Sequence, residues 1–261
     1  MIESYNRFRG RPLLISTSVP LPNNERYHRV PRARLEIEEA IVGLARAAFS
    51  RGNRIVYGGN LSTSLLLTMV AAEYITPRYA EGRETDARFS NDAPREEQTP
   101  IIIYQSELTR GETPELEIMD RLGYVNVRWV SSDERRNIDS DSFSNTTLRQ
   151  MIEESNPVAM ICIGGMGDVE RAVRVFREIR PRLPVYLMAT TGGAAEEISN
   201  SSSEFPNMRV VDRELLDDLK RRRREFRADR GTDEPLEFRY TPYALIMQKL
   251  ISEIGGDDRL G

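Results

Sequence analysis

Five times along this 261-residue chain, a short apolar run ends in a small turn of glycine or hydroxyl residues and gives way to a helical pattern. The runs are Leu13-Leu14-Ile15, Ile55-Val56-Tyr57, Ile101-Ile102-Ile103-Tyr104, Val158 to Ile163 and Val185 to Met188. Runs this short, apolar on successive residues, read as strands buried on both faces. Strands alternating with helices imply parallel pairing, because a parallel pair can be joined only by a crossover. The expected fold class is therefore α/β, a parallel sheet with helices on both faces.

The intervening segments agree. Leu35, Ile37, Ala40, Ile41, Leu44, Ala45 and Ala48 recur at helical spacing, and Arg51-Gly52-Asn53 stops that helix. Leu61 to Tyr74 is apolar almost all round, as a helix buried between layers would be. Helices are expected near 114–122, 146–155, 168–180 and 194–199, with a last one from Thr241 to Ile254. Val125 to Val130 alternates like a strand with one wetter face, and 208–211 closes the strand pattern. Residues 78–99 and 131–145 are polar and read as loops, the first also as a disordered insertion. The run Leu219 to Arg224, among Asp217, Asp218, Glu225 and Asp229, reads as a solvated helix of mixed charge. With no internal repeat, the chain reads as a single domain over 1–261, its core about 11–211.

Composition removes several classes of function. The net charge of −4 offers nothing toward nucleic acid or an anionic membrane. Cys162 is the one cysteine, so an intrachain disulfide or a cysteine metal cluster is excluded; its apolar surroundings make it an inert core thiol. His28 is the one histidine and lies in a polar stretch, which excludes a multi-histidine metal site. The opening MIESYNRFRGRP lacks a signal-peptide core, and the longest apolar stretch, Leu65 to Ala72, is too short to span a bilayer. The expectation is a cytoplasmic protein without membrane contact, and no cofactor or metal is expected.

In a parallel sheet, ligands bind beyond the carboxyl ends of the strands. There the strand ends would gather Ser16, Thr17 and Ser18; Gly58, Gly59, Asn60, Ser62 and Thr63; Gln105; Gly164, Gly165, Met166 and Gly167; and Thr191 with Gly192. Helix N-termini present unpaired N–H groups and a positive dipole end, glycines let backbone approach closely, and hydroxyls add hydrogen bonds. That chemistry suits a phosphate-bearing ligand. Neither G-x-G-x-x-G nor G-x-x-x-x-G-K-[ST] occurs at these turns, so a dinucleotide fingerprint and a Walker loop are unsupported.

The pieces LLISTSVP, RIVYGGNLSTSLLL, IIIYQSEL and AMICIGGMGDVERAVRVFREIRPRLPVYLMATTGGAAEEI resemble the SLOG family, the superfamily of DprA/Smf and LOG proteins. The resemblance runs over about 11–200 and is nearest to SLOG domains of bacterial antiphage systems. It implies a Rossmann-like sheet and a nucleotide-derived ligand such as ADP-ribose, cyclic ADP-ribose or NAD. Similar SLOG sequences carry Gly-Gly-His-Pro where this chain has Gly58-Gly59-Asn60-Leu61. The LOG signature P-G-G-x-G-T-x-x-E, whose glutamate assists cleavage of an N-glycosidic bond, lacks its proline and threonine here. Arg171 stands in the glutamate's place, with Glu170 one residue early.

Three readings follow. The first is a binding module that senses a nucleotide-type small molecule and relays the signal through a homo-oligomer or an effector protein. The second is an N-glycosyl hydrolase using Glu170 or Glu107 as its carboxylate. The third, DprA-like binding of single-stranded DNA, has only the arginine run at 221–224 in its favour, so a nucleic acid partner is not expected.

Overall fold

The computed structural model describes residues 8, 10–19, 33–75, 99–131, 140–201, 207–218 and 241–256. Among the described residues, seven strands form one sheet: β1 (Pro12–Ser18), β2 (Arg54–Gly58), β3 (Ile101–Ser106), β4 (Val125–Val130), β5 (Ala159–Gly164), β6 (Val185–Met188) and β7 (Met208–Arg209). Every pairing is parallel, in the order β4-β3-β2-β1-β5-β6-β7. Between them lie α1 (Ala33–Phe49), α2 (Leu61–Ala71), α3 (Pro114–Leu122), α4 (Ser140–Ser155), α5 (Gly167–Ile179) and α6 (Gly193–Ser201), then α7 (211–218) and α8 (Tyr243–Gly256). This is the doubly wound, Rossmann-like α/β architecture expected from the alternation of apolar runs and helices.

The period of two along each strand sorts the core into two layers. Leu13, Ile15, Ile55, Tyr57, Ile161 and Ile163 face one side, where α1, α2, α3, α7 and α8 cover them. Leu14, Val56, Met160 and Cys162 face the other, against α4, α5 and α6. The helices change face where the chain reverses direction across the sheet, as right-handed crossovers require. The last helix, α8, lies along α1, and the crossing is close at Gly43. A Cβ there would sit 3.3 Å from the Tyr243 carbonyl carbon.

Two expectations need correction. Residues 131–145 are not loop throughout, because α4 begins at Ser140. The polar composition of 140–146 hid the helix: hydroxyl and amide side chains have poor helix propensity, and the apolar face only starts to show at Leu148. The strand expected at 208–211 is only Met208–Arg209, since 211 already opens α7. The expected loop at 78–99, except for the buried Thr99 at its end, lies outside the described residues, as do His28 and the arginine run at 221–224. No helix among the described residues is long and apolar enough to cross a membrane.

Burial pushes the Cys162 thiol and the Tyr57 and Tyr104 hydroxyls well above their ordinary ranges. All three stay protonated in the folded state and titrate first when the chain unfolds. Stability is therefore full at neutral pH and falls as pH rises past the unfolded values, about 8.5 for the thiol and about 10 for the phenols. Urea midpoints measured from pH 7 to 10.5 should show that decline, and Cys162→Ala should delay its onset. Gly43→Leu should push α8 off α1 and cost about 1–3 kcal/mol of unfolding free energy, with faster hydrogen exchange confined to α8.

Candidate functional site at the sheet's switch point

From β1 to β4 the strands step across the sheet one way, and from β5 to β7 the other. The connections leaving β1 and β5 therefore diverge to opposite faces, and a crevice opens between the carboxyl ends of these two neighbours. Ser18 and Gly164 pair across its floor.

The turn after β5 has unusual backbone. Gly164 and Gly165 have φ of 58° and 88°, the left-handed region that side chains disfavour. Space forbids a side chain as well: a Cβ on Gly164 would lie 2.3 Å from Ile37 Cδ1, and one on Gly165 2.1 Å from Val169 Cγ2. The N–H groups of this turn are used internally. Gly164 N donates to Thr191 Oγ1 at 2.7 Å, Gly165 N to the Ser18 carbonyl at 2.9 Å, and Met166 N to Asp168 Oδ1 at 3.1 Å. Ser18 Oγ also donates to Asp168 Oδ1, at 3.1 Å. The backbone amides of 164–166, expected to meet a ligand, are thus held by the protein. Those of Gly167 and Asp168, the first two positions of α5, are not needed by the turn.

After β6 the chain makes one 3-10 turn, Ala189–Thr191, before α6. Thr191 is fully buried and passes its proton to the Met188 carbonyl at 2.5 Å, leaving its lone pairs for Gly164 N–H. Thr190 is gripped by Asp212 at the start of α7. Asp212 Oδ2 accepts from Thr190 N at 2.6 Å and from Thr190 Oγ1 at 2.7 Å, and its other oxygen accepts from Arg213 N at 2.8 Å. Asp212 is fully buried, so these donors, with the N-terminal dipole of α7, are what make its charge tolerable.

After β2, Gly58 is exposed and a Cβ on it would touch nothing within 4 Å. Asn60 caps α2: its Oδ1 accepts from Ser62 N, Thr63 N and Ser62 Oγ. The first turn of α2 carries no acid, whereas α5 opens with Asp168 and Glu170 and α6 with Glu196. Of these three helices, α2 is the one whose N-terminal dipole is uncompensated by a carboxylate. Gln105 reaches back from β3, its Oε1 2.9 Å from where a Cβ on Gly59 would stand.

The residues expected at the site are thus arranged along one edge, in the order β3, β2, β1, β5, β6. Ser18, Gly164, Gly165, Met166 and Thr191 are joined by hydrogen bonds at the switch point. Gly58, Gly59, Asn60, Ser62, Thr63 and Gln105 lie to one side of it. Ser16 and Thr17 line the last turns of β1, and Gly192 follows β6 with φ of 73°. The two candidate carboxylates fare differently. Glu107 is exposed in a 3-10 turn after β3, two strands from the crevice. Glu170 is half-buried on α5, about 200° around the helix from Asp168. Asp168, two residues before Glu170, is the carboxylate that contacts Ser18 at the switch point. Asp212 and Tyr243 reach Thr190, and Glu36 reaches Tyr243, only through tertiary packing, so no local signal marks these three.

A doubly wound parallel sheet with its small-residue turns collected at the β1–β5 switch point defines a Rossmann-like protein. The SLOG cluster3 family model matches residues 86–222, and the chain belongs to that family. Among solved structures, the X-ray structure of TM1055, a structural-genomics target, aligns with 73% of this chain and 81% of its own at 13% identity, with a TM-score of 0.42. No curated protein matches significantly.

The glycines separate into structural and open positions. Gly165→Ala must hold a side chain at positive φ against Val169, and should lower the unfolding free energy by at least about 1–2 kcal/mol. Gly58→Ala meets open space and should change it by less than about 0.5 kcal/mol. Urea denaturation of the two variants checks the contrast.

Proposed function

We propose that this protein binds a nucleotide-derived ligand, of the ADP-ribose, cyclic nucleotide or NAD type, along the carboxyl edge of the sheet at the β1–β5 switch point. The observation that carries the reading is the row of glycine and hydroxyl turns on neighbouring strands, gathered where a doubly wound sheet opens its crevice. The acid-free start of α2 beside the bare Gly58 suits a phosphate. The exposed Asp168, held by Ser18 and Met166 N–H, suits hydroxyl donors instead, and its charge at the head of α5 competes with an anion there. Binding would act as a sensing or signalling event in the cytoplasm, relayed by self-association or by an effector protein. Membership of the SLOG family and the resemblance to antiphage SLOG domains support that setting.

One observation favours a hydrolytic version of the same site: Asp168 is a carboxylate fixed at the crevice by two hydrogen bonds. In that version it would stabilise the cationic sugar centre or activate water.

The test is a panel of ADP-ribose, cyclic ADP-ribose, NAD, AMP and cyclic AMP, followed by thermal shift for binding and by chromatography for cleavage. At least one compound should raise Tm. Gly58→Leu, which fills open space, should abolish that rise while leaving the unliganded Tm unchanged. Intact compound after incubation supports the sensor. Release of nucleobase that disappears in Asp168→Asn supports the hydrolase. No shift with any compound overturns the proposal.

A further inference from the structure

Trp129 is the one tryptophan of the chain. Its ring carries a large apolar surface, and folding normally hides most of such a surface. Here it is only half-buried, near the carboxyl end of β4, an edge strand of the sheet among the described residues. It alternates with Val125 and Val127, so it faces the layer that holds α2 and α3. Its register partner on β3 is Gln105, on the same face.

The surroundings of this ring are those of a stacking platform. Arg110, in the turn after β3, lies over the indole with its guanidinium carbon 5.4 Å from the ring centroid. The Arg110 side chain is 57% exposed and holds Glu117 only loosely, at 3.6 Å. Leu108, in the same turn, is 63% exposed, a second large apolar group bare at this end of the edge. Gln105 is half-buried and lies over Gly59, and nothing among the described residues hydrogen-bonds its side-chain amide. Arg128, on the opposite face of β4, is the contrast. It also lies over a ring, that of Tyr104, but it donates to the Tyr104 hydroxyl at 2.6 Å and pairs with Glu154 at 3.1 Å, so it is held by the fold.

Bases stack on aromatic rings and on guanidinium planes alike, so a base can join the Arg110–Trp129 pair from either side. A glutamine amide can give a proton to adenine N7 and take one from adenine N6. Trp129 stands two strand spacings from β2, where α2 starts, roughly 10 Å. A base, its ribose and a diphosphate cover that distance.

Resting on the nucleotide reading above, we propose that Trp129, Arg110 and Gln105 form the subsite for an adenine base, at the β4 end of the carboxyl edge. The phosphates then lie at the start of α2, and the second sugar of an ADP-ribose points toward Asp168 at the switch point. Laid in this direction, one ligand uses the whole row of turns from β4 to β5.

The fluorescence of the single tryptophan reads this subsite in the unaltered protein. ADP and ADP-ribose should quench it saturably, with the Kd that calorimetry gives, whereas ribose 5-phosphate, which has no base, should leave it unchanged. Trp129→Leu should bind ADP-ribose at least about fivefold more weakly, and Trp129→Phe, which keeps a ring, should lose less. The parent should prefer ADP to inosine diphosphate, and Gln105→Leu should erase that preference. Binding of ADP-ribose without quenching overturns the base subsite and leaves the nucleotide reading standing. So does equal quenching by ribose 5-phosphate, or an affinity in Trp129→Leu within about twofold of the parent. Equal affinity of the parent for ADP and inosine diphosphate overturns the assignment to adenine. Failure of the parent to bind either ADP or ADP-ribose overturns both proposals together.

Discussion

The parallel pairing of β1 with β5 is the contact on which the rest of this structure depends. It joins segments 146 residues apart, with Leu13 opposite Ala159 and Ser18 opposite Gly164. Neither strand is stable alone, because each carries apolar side chains on both faces and unpaired backbone groups along its edges. From that pair the sheet extends outward, through β2 to β4 on one side and through β6 to β7 on the other. The same pairing creates the switch point, so the step that builds the sheet also builds the crevice.

At that crevice the protein spends most of its own hydrogen-bonding capacity on itself. Three amides of the turn after β5, the hydroxyls of Ser18 and Thr191, and the carboxylates of Asp168 and Asp212 are mutually satisfied. This interlocking is what holds Gly164 and Gly165 in a backbone conformation that costs other residues energy. It also ties distant elements together: Asp212 on α7 and Tyr243 on α8 both grip Thr190, one residue from the Thr191 that receives Gly164 N–H.

Much of the fold was legible without coordinates. Val125–Val130, Pro114–Leu122 and Val185–Met188 begin and end where the sequence pattern places them. Hydrophobic periodicity and glycine stops are local signals, and they act within a few residues. The start of α4 was not legible because Ser140 to Thr146 is mostly hydroxyl, amide and acid residues, while the apolar residues that seat the helix on the core, Leu148, Met151 and Ile152, come later. At the site, the glycines after β5 were legible as special, but the use of their amides was not. Asp168 takes Met166 N–H through a local turn, whereas Thr191 takes Gly164 N–H across 27 residues.

By itself, then, the sequence determined the strands, the helices, their parallel arrangement and the collection of small residues at strand ends, because each follows from side-chain period and turn chemistry read over a few residues. Only the tertiary structure decided which of those residues are spent and which are open. It gave Asn60 to capping and Gly165 to a strained turn, left Gly58 bare, and put Asp168 rather than Glu170 or Glu107 against Ser18. Whether a polar group has a partner depends on atoms supplied by other segments of the chain, and no local pattern carries that information.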